Sequence, residues 1–178
     1  GTANVTANTG NITGSGVFGA NSLNLLATQG NIGTSFASRV NTQAGNLTAN
    51  TPLGSTYINQ QGALSLNTST ALNDFFLNVT TPGNLVVNGN VLSRTGLFQT
   101  TGGGDIVANA NLEGTQDLQV HSYGSGGISG PGQLRGTNLY MTAEAGSINV
   151  NTNVSNLIAG SFGNTFINEA NSVNLITG

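Results

Sequence analysis

The side chains able to carry acid–base, nucleophilic or metal chemistry are few. The acids are Asp74, Asp105, Glu113, Asp117, Glu144 and Glu169; the bases are Arg39, Arg94 and Arg135; there is one histidine, His121, and no cysteine. Only residues 104–123 hold a concentration, made of Asp105, Glu113, Asp117 and His121. In Asp117-Leu118-Gln119-Val120-His121 apolar and polar residues alternate. A strand would therefore turn Leu118 and Val120 inward and set Asp117, Gln119 and His121 in one outward row. Such a row could hold a sugar or a weakly bound metal ion. Glycan cleavage needs two or three acidic or basic groups converging on one groove, and no arginine or lysine stands near this row in sequence. The simpler expectation is a solvated outer strand with an ordinary histidine, no enzymatic activity, no catalytic residue, no cofactor and no metal.

Other chemistries fare no better. Zinc and iron–sulfur sites draw on cysteine and clustered histidine. A phosphate loop needs a lysine after its glycines, and the chain has no lysine. Calcium-binding rolls repeat Gly-Gly-x-Gly-x-Asp coil after coil, whereas Gly102-Gly103-Gly104-Asp105 occurs once. Ice-binding solenoids rank Thr-x-Thr in every coil; here Thr68-Ser69-Thr70 stands alone. Asn-x-Ser/Thr triplets begin at Asn4, Asn11, Asn46, Asn67, Asn78 and Asn153, a number that a chain rich in Asn and Thr produces by chance. A formal net charge of −3 with three scattered arginines lacks the basic footprint of a nucleic-acid binder. No apolar run reaches the roughly 18 residues of a membrane span. The chain opens on Gly1 with no basic and apolar leader, so it is expected to be a segment of something longer.

Any outward row has to be positioned by the elements around it, and these follow from a repeat. Glycine, one small or polar residue, then Ile or Leu recurs at Gly10-Asn11-Ile12, Gly30-Asn31-Ile32, Gly45-Asn46-Leu47, Gly62-Ala63-Leu64, Gly83-Asn84-Leu85, Gly104-Asp105-Ile106, Gly126-Gly127-Ile128 and Gly146-Ser147-Ile148. The mean step is about 19 residues. Between these marks lie period-two pairs such as Leu23-x-Leu25, Leu77-x-Val79, Leu118-x-Val120 and Leu139-x-Met141. Short strands joined at glycine-marked corners describe the coil of a parallel β-helix, which buries its apolar face only by stacking on neighbours.

The expectation is an all-β, right-handed parallel β-helix of about nine coils, with roughly 19–20 residues in each. Ile12, Ile32, Leu47, Leu64, Leu85, Ile106, Ile128 and Ile148 would stack in one inward column at about 4.8 Å per coil. Asn11, Asn31, Asn46 and Asn84 would form a partial amide ladder at a corner.

A longer repeat overlies the short one. Ile12, Leu23, Leu25 and Ile32 match Ile128, Leu139, Met141 and Ile148 at an offset of 116. Tyr57-Ile58 matches Phe166-Ile167 at an offset of 109. Residues 1–178 would form one β-helix segment, with 10–125 a long block and 126–178 the start of a second copy. On a flat strand one residue of each pair would face in and the other out, where it could stack on a sugar or pack on a fibre; a bulge that buries both, or a covering loop, is the simpler expectation. The low charge fits the same picture. Charged residues make up 5% of the chain, against about 25% in typical domains. In a stacked solenoid each residue sits about 4.8 Å from its equivalent, so a charge kept in the repeat would repel itself along the rod.

Ser22-Leu-Asn-Leu-Leu-Ala-Thr-Gln-Gly-Asn-Ile-Gly33, Gly45-Asn-Leu-Thr-Ala-Asn50 and Gly83-Asn-Leu-Val-Val-Asn-Gly-Asn-Val91 resemble the repeats of filamentous-haemagglutinin-like exoproteins and giant bacterial surface adhesins. The resemblance covers nearly the whole chain. It implies an extracellular or cell-surface fibre used in attachment. The implied partners are further copies of the repeat, neighbouring fibres, and surface glycans or another cell. A carbohydrate-binding or matrix-forming module is the alternative, which outward aromatics clustered on one sheet would favour; a polysaccharide-degrading enzyme is a more distant one.

Overall fold

The computed structural model describes residues 1–176. Among them there is no helix. The strands are β1 (Thr2–Ala7), β2 (Val17–Ala27), β3 (Val40–Thr51), β4 (Thr56–Gln60), β5 (Leu64–Leu66), β6 (Ser69–Ala71), β7 (Asp74–Val79), β8 (Leu85–Val87), β9 (Val91–Thr100), β10 (Ile106–Ala108), β11 (Leu112–Ser122), β12 (Ile128–Ala143), β13 (Ile148–Ser161), β14 (Thr165–Glu169) and β15 (Asn174–Leu175). Every pairing between them is parallel, and each links a residue to its equivalent 17 to 24 positions later. The result is a β-solenoid of about eight turns.

Each turn has three faces. The first is made by β4, β7 and the later parts of β9, β11, β12 and β13. The second runs through β5, β8, β10 and the start of β12 and β13. The third runs through β6 and the early part of β9 and β11. Alternation turns one side chain in and the next out on each face. Inward columns include Val40–Ile58–Leu77–Phe98–Val120–Met141 on the first face, all buried. Leu23–Leu47–Leu66–Val87 on the second is equally buried. Each fully buried Leu, Ile or Phe contributes about 1.5–3 kcal/mol. Neighbouring columns also lock together: Phe75, in the column of Thr56, Gly96 and Leu118, stacks on Phe98 at 5.4 Å between centroids. Gly96 leaves the room, since a methyl on it would come within 2.9 Å of the Phe98 ring.

The corners explain the glycine of the repeat. A methyl on Gly104 would strike the Gly83 carbonyl, and one on Gly126 would strike that of Gly104. At another corner Gly30 and Gly54 are held in the same way against Gly10 and Gly30. Inward polar residues serve these turns. Thr100 and Ser122 both donate to the Gly104 carbonyl, at 2.6 and 3.0 Å. The buried Gln60 amide accepts from Thr42 at 2.7 Å and donates to the Ala44 carbonyl at 2.8 Å.

The expected single column divides into three. All eight residues are buried, and Leu64, Leu85, Ile106, Ile128 and Ile148 do share one column. Leu47 instead stacks between Leu23 and Leu66. Ile12 pairs with Ile32, and Ile32 with Thr56, whose column continues through Phe75. Two corners carry stacked glycines, so both bear the same sequence mark. The offset of 116 inherits this ambiguity: Ile12 lies in the Thr56–Phe75 column, whereas Ile128 lies in the Leu64–Leu85 column. The match therefore relates one face to another.

The corner asparagines also divide. The Asn11 carbonyl accepts from the Asn31 backbone N–H at 2.8 Å and that of Asn31 from Ser55 at 2.7 Å. Asn84 accepts from the Asp105 N–H at 2.9 Å, and Asp105 from the Gly127 N–H at 2.8 Å. In each of these the next coil's backbone N–H donates to the side-chain oxygen; one amide-to-amide rung of the expected ladder is also present, from Asn31 to Asn11 at 3.3 Å.

Candidate functional site

The row foreseen around His121 lies on the outer side of the first face. Leu118 and Val120 are fully buried beneath it, while Asp117, Gln119 and His121 are half-exposed. Asp105 and Glu113 do not join them. Asp105 is spent on the corner N–H of Gly127, and Glu113 stands on the third face between Leu92 and Arg135. No group of three or more His, Cys, Asp or Glu that could hold a metal is present among the described residues.

Each member of the row belongs to a column running along the rod. Asp117 follows Asp74 and Thr95 and precedes Asn138, Asn156 and Asn174. Here the amides do form a ladder. Asn174 donates to Asn156 at 3.2 Å, Asn156 to Asn138 at 2.8 Å, and Asn138 to the Asp117 carboxylate at 2.8 Å. On the far side lie Asn59, Asn78, Gln99, His121 and Thr142. His121 stacks on Tyr123 at 5.9 Å. Burial lowers the His121 pKa, and its Nδ1 is enclosed without a hydrogen-bond partner.

Between these polar columns runs a third, made of Tyr57, Phe76, Leu97, Gln119, Tyr140 and Ile158 on successive rungs. Its aromatic end is built outward. Tyr57 packs edge-to-face on Phe76 at 5.3 Å, and Phe76 on Phe36 at 5.7 Å. Phe36 sits in the connection between Ile32 and β3, where Ser35 and Ser38 form an antiparallel bridge. The Arg39 guanidinium lies 3.7 Å from the Phe36 ring centre and donates to Asn59 at 2.8 Å. Burial pushes the Arg39 pKa down. The Tyr57 hydroxyl donates to Asp74 at 2.8 Å. Burial, then Asp74 as acceptor and charge, raises its pKa above the ordinary phenol value.

There is no bulge at Tyr57-Ile58, but the covering loop is met in part. Ile58 is buried, and Tyr57 faces out half-buried with the connection carrying Gly33 and Phe36 packed beside it and Phe76, whereas Phe166 is outward and exposed beside a partly buried Ile167. Sequence reasoning missed the joint column because its members recur at 18 to 22 positions, an irregular spacing that only the strand register makes legible.

No family model matches the chain, and no curated protein or solved structure matches it. The fold and its repeat define a β-solenoid repeat protein.

Proposed function

We propose that the chain is a structural stalk or fibre segment of a secreted or cell-surface bacterial adhesin of the filamentous-haemagglutinin-like kind, working in attachment or fibre formation. The observation that supports this reading most is the unbroken parallel ladder of about eight turns with a continuous packed interior. Each turn advances the rod by about 4.8 Å, so such a segment converts sequence length directly into reach. Its partners are then further copies of the repeat and neighbouring fibres, and its place is outside the cell. Immunogold labelling of intact producing cells with an antibody to this segment tests the proposal. Label standing off the cell envelope, and removed by protease treatment of unbroken cells, is the expected result. Label that appears only after lysis overturns it.

A further inference from the structure

We propose that the outer side of the first face is a docking strip for a neutral glycan chain lying along the rod axis, a role independent of the stalk reading. The strip is the column Tyr57, Phe76, Leu97, Gln119, Tyr140 and Ile158, with the Asp74–Asn138 column on one side and the Asn59–His121 column on the other.

Three observations select a sugar over a second protein. First, the apolar column is one residue wide and bordered on both sides by amides, hydroxyls and carboxylates. A protein interface buries a broader apolar core. A pyranose offers apolar C–H faces for an aromatic ring and a rim of hydroxyls that both donate and accept, so the pattern of this face is complementary to it. Second, the aromatic end is braced before any ligand arrives. Asp74 fixes the Tyr57 hydroxyl and Phe36 supports Phe76, which lowers the ordering cost of binding. Third, the charges bordering the strip favour a neutral chain. Asp74 and Asp117 flank it, and the single cation at its end, Arg39, is already engaged with Phe36 and Asn59. An acidic polysaccharide would meet repulsion at the two rungs that carry Asp74 and Asp117. Rungs spaced at about 4.8 Å advance by roughly one sugar unit each. The chain would contact Tyr57 and Phe76 on adjacent rungs and then Tyr140 three rungs beyond Phe76.

The test is affinity electrophoresis of the full chain through gels containing hydroxyethylcellulose, xyloglucan, galactomannan or mixed-linkage β-glucan, with carboxymethylcellulose as the anionic comparison. Retardation by at least one neutral polymer, and weaker retardation by the anionic one, is expected. Phe76→Leu and Tyr140→Leu remove the ring but keep an apolar side chain at positions whose column already accepts Leu97 and Ile158, and an unchanged β-sheet circular-dichroism spectrum checks that each variant is folded. Each should weaken retardation about tenfold, the worth of one good aromatic contact. Val107→Ser, outward on the second face, should leave it unchanged. Absence of retardation by every neutral polymer overturns the proposal, as does retardation that neither Leu variant alters. Loss of rod-to-rod association in light scattering, without any glycan retardation, assigns the face to a second rod and overturns it equally.

Discussion

Gly104 shows how a single absent methyl sets the distance between coils. Its carbonyl receives the hydroxyls of Thr100 and Ser122, and its α-carbon lies against the Gly83 backbone, where no β-carbon fits. Neither backbone can withdraw without breaking the ladder on both flanking faces. Gly104→Ala should therefore destabilise by about 1–3 kcal/mol, the range of overpacking against a rigid neighbour. Gly160→Ala, where an added methyl meets nothing, should lie within about 0.5 kcal/mol of the parent or above it. Chemical denaturation of the two variants distinguishes these outcomes.

His121 offers a second test at this scale. Its pKa in the fold is lowered by burial, so the unfolded chain takes up the proton first as pH falls. The stabilising effect is complete above the unfolded value of 6.5 and is lost as pH drops through the lower folded value. Thermal midpoints measured between about pH 8 and 5 should fall more steeply for the parent than for His121→Gln, whose side chain matches Gln99 on the adjoining rung.

Among the elements, the column from Asp117 to Asn174 behaves as one unit. Three amide bonds run in one direction and end on a carboxylate. Asn138→Ala removes a donor and an acceptor together and leaves the Asp117 oxygen unpartnered. The expected cost is about 1–2 kcal/mol, read from urea denaturation, whereas Asp117→Asn keeps the acceptor and should cost clearly less. The ladder was not legible in sequence, because asparagine is scattered through the chain and only register reveals which ones stack.

The glycine marks were legible, since a corner that excludes a β-carbon must carry glycine. They were legible twice over, however: the Gly10–Gly30–Gly54 corner and the Gly83–Gly104–Gly126 corner obey the same steric rule. The marks thus located the inward aliphatic residues while concealing which face each belonged to. Leu64 through Ile148 read correctly as a column because all five follow the same corner. Ile12 and Ile32 did not, because the mark changes corner between residues 32 and 47 while the pairing there steps by 24; Leu47 did not because its register sets it against Leu66, two positions past Leu64. The Asp117–Gln119–His121 row was legible from alternation alone. Its aromatic neighbours were not, because they come from other coils.

At the scale of the whole molecule, the scarcity of charge is a consequence of translation along the rod. A charge retained at one outward position in successive coils would face its copy at about 4.8 Å, where the repulsion is about 1 kcal/mol in water and several times that near a protein surface. The outward residues Val86 and Val107 on the second face are neighbours on adjoining rungs and allow the idea to be measured. Val86→Lys and Val107→Lys, made singly, should each cost little beyond the loss of a half-buried side chain. The double variant should cost at least about 1 kcal/mol more than their sum. That excess should shrink toward zero near 1 M salt, where the screening length falls to about 3 Å. Replacing one of the two lysines with glutamate should reverse its sign. An additive double-lysine variant, or an excess that salt does not touch, would mean that something other than ladder repulsion keeps lysine out of this chain.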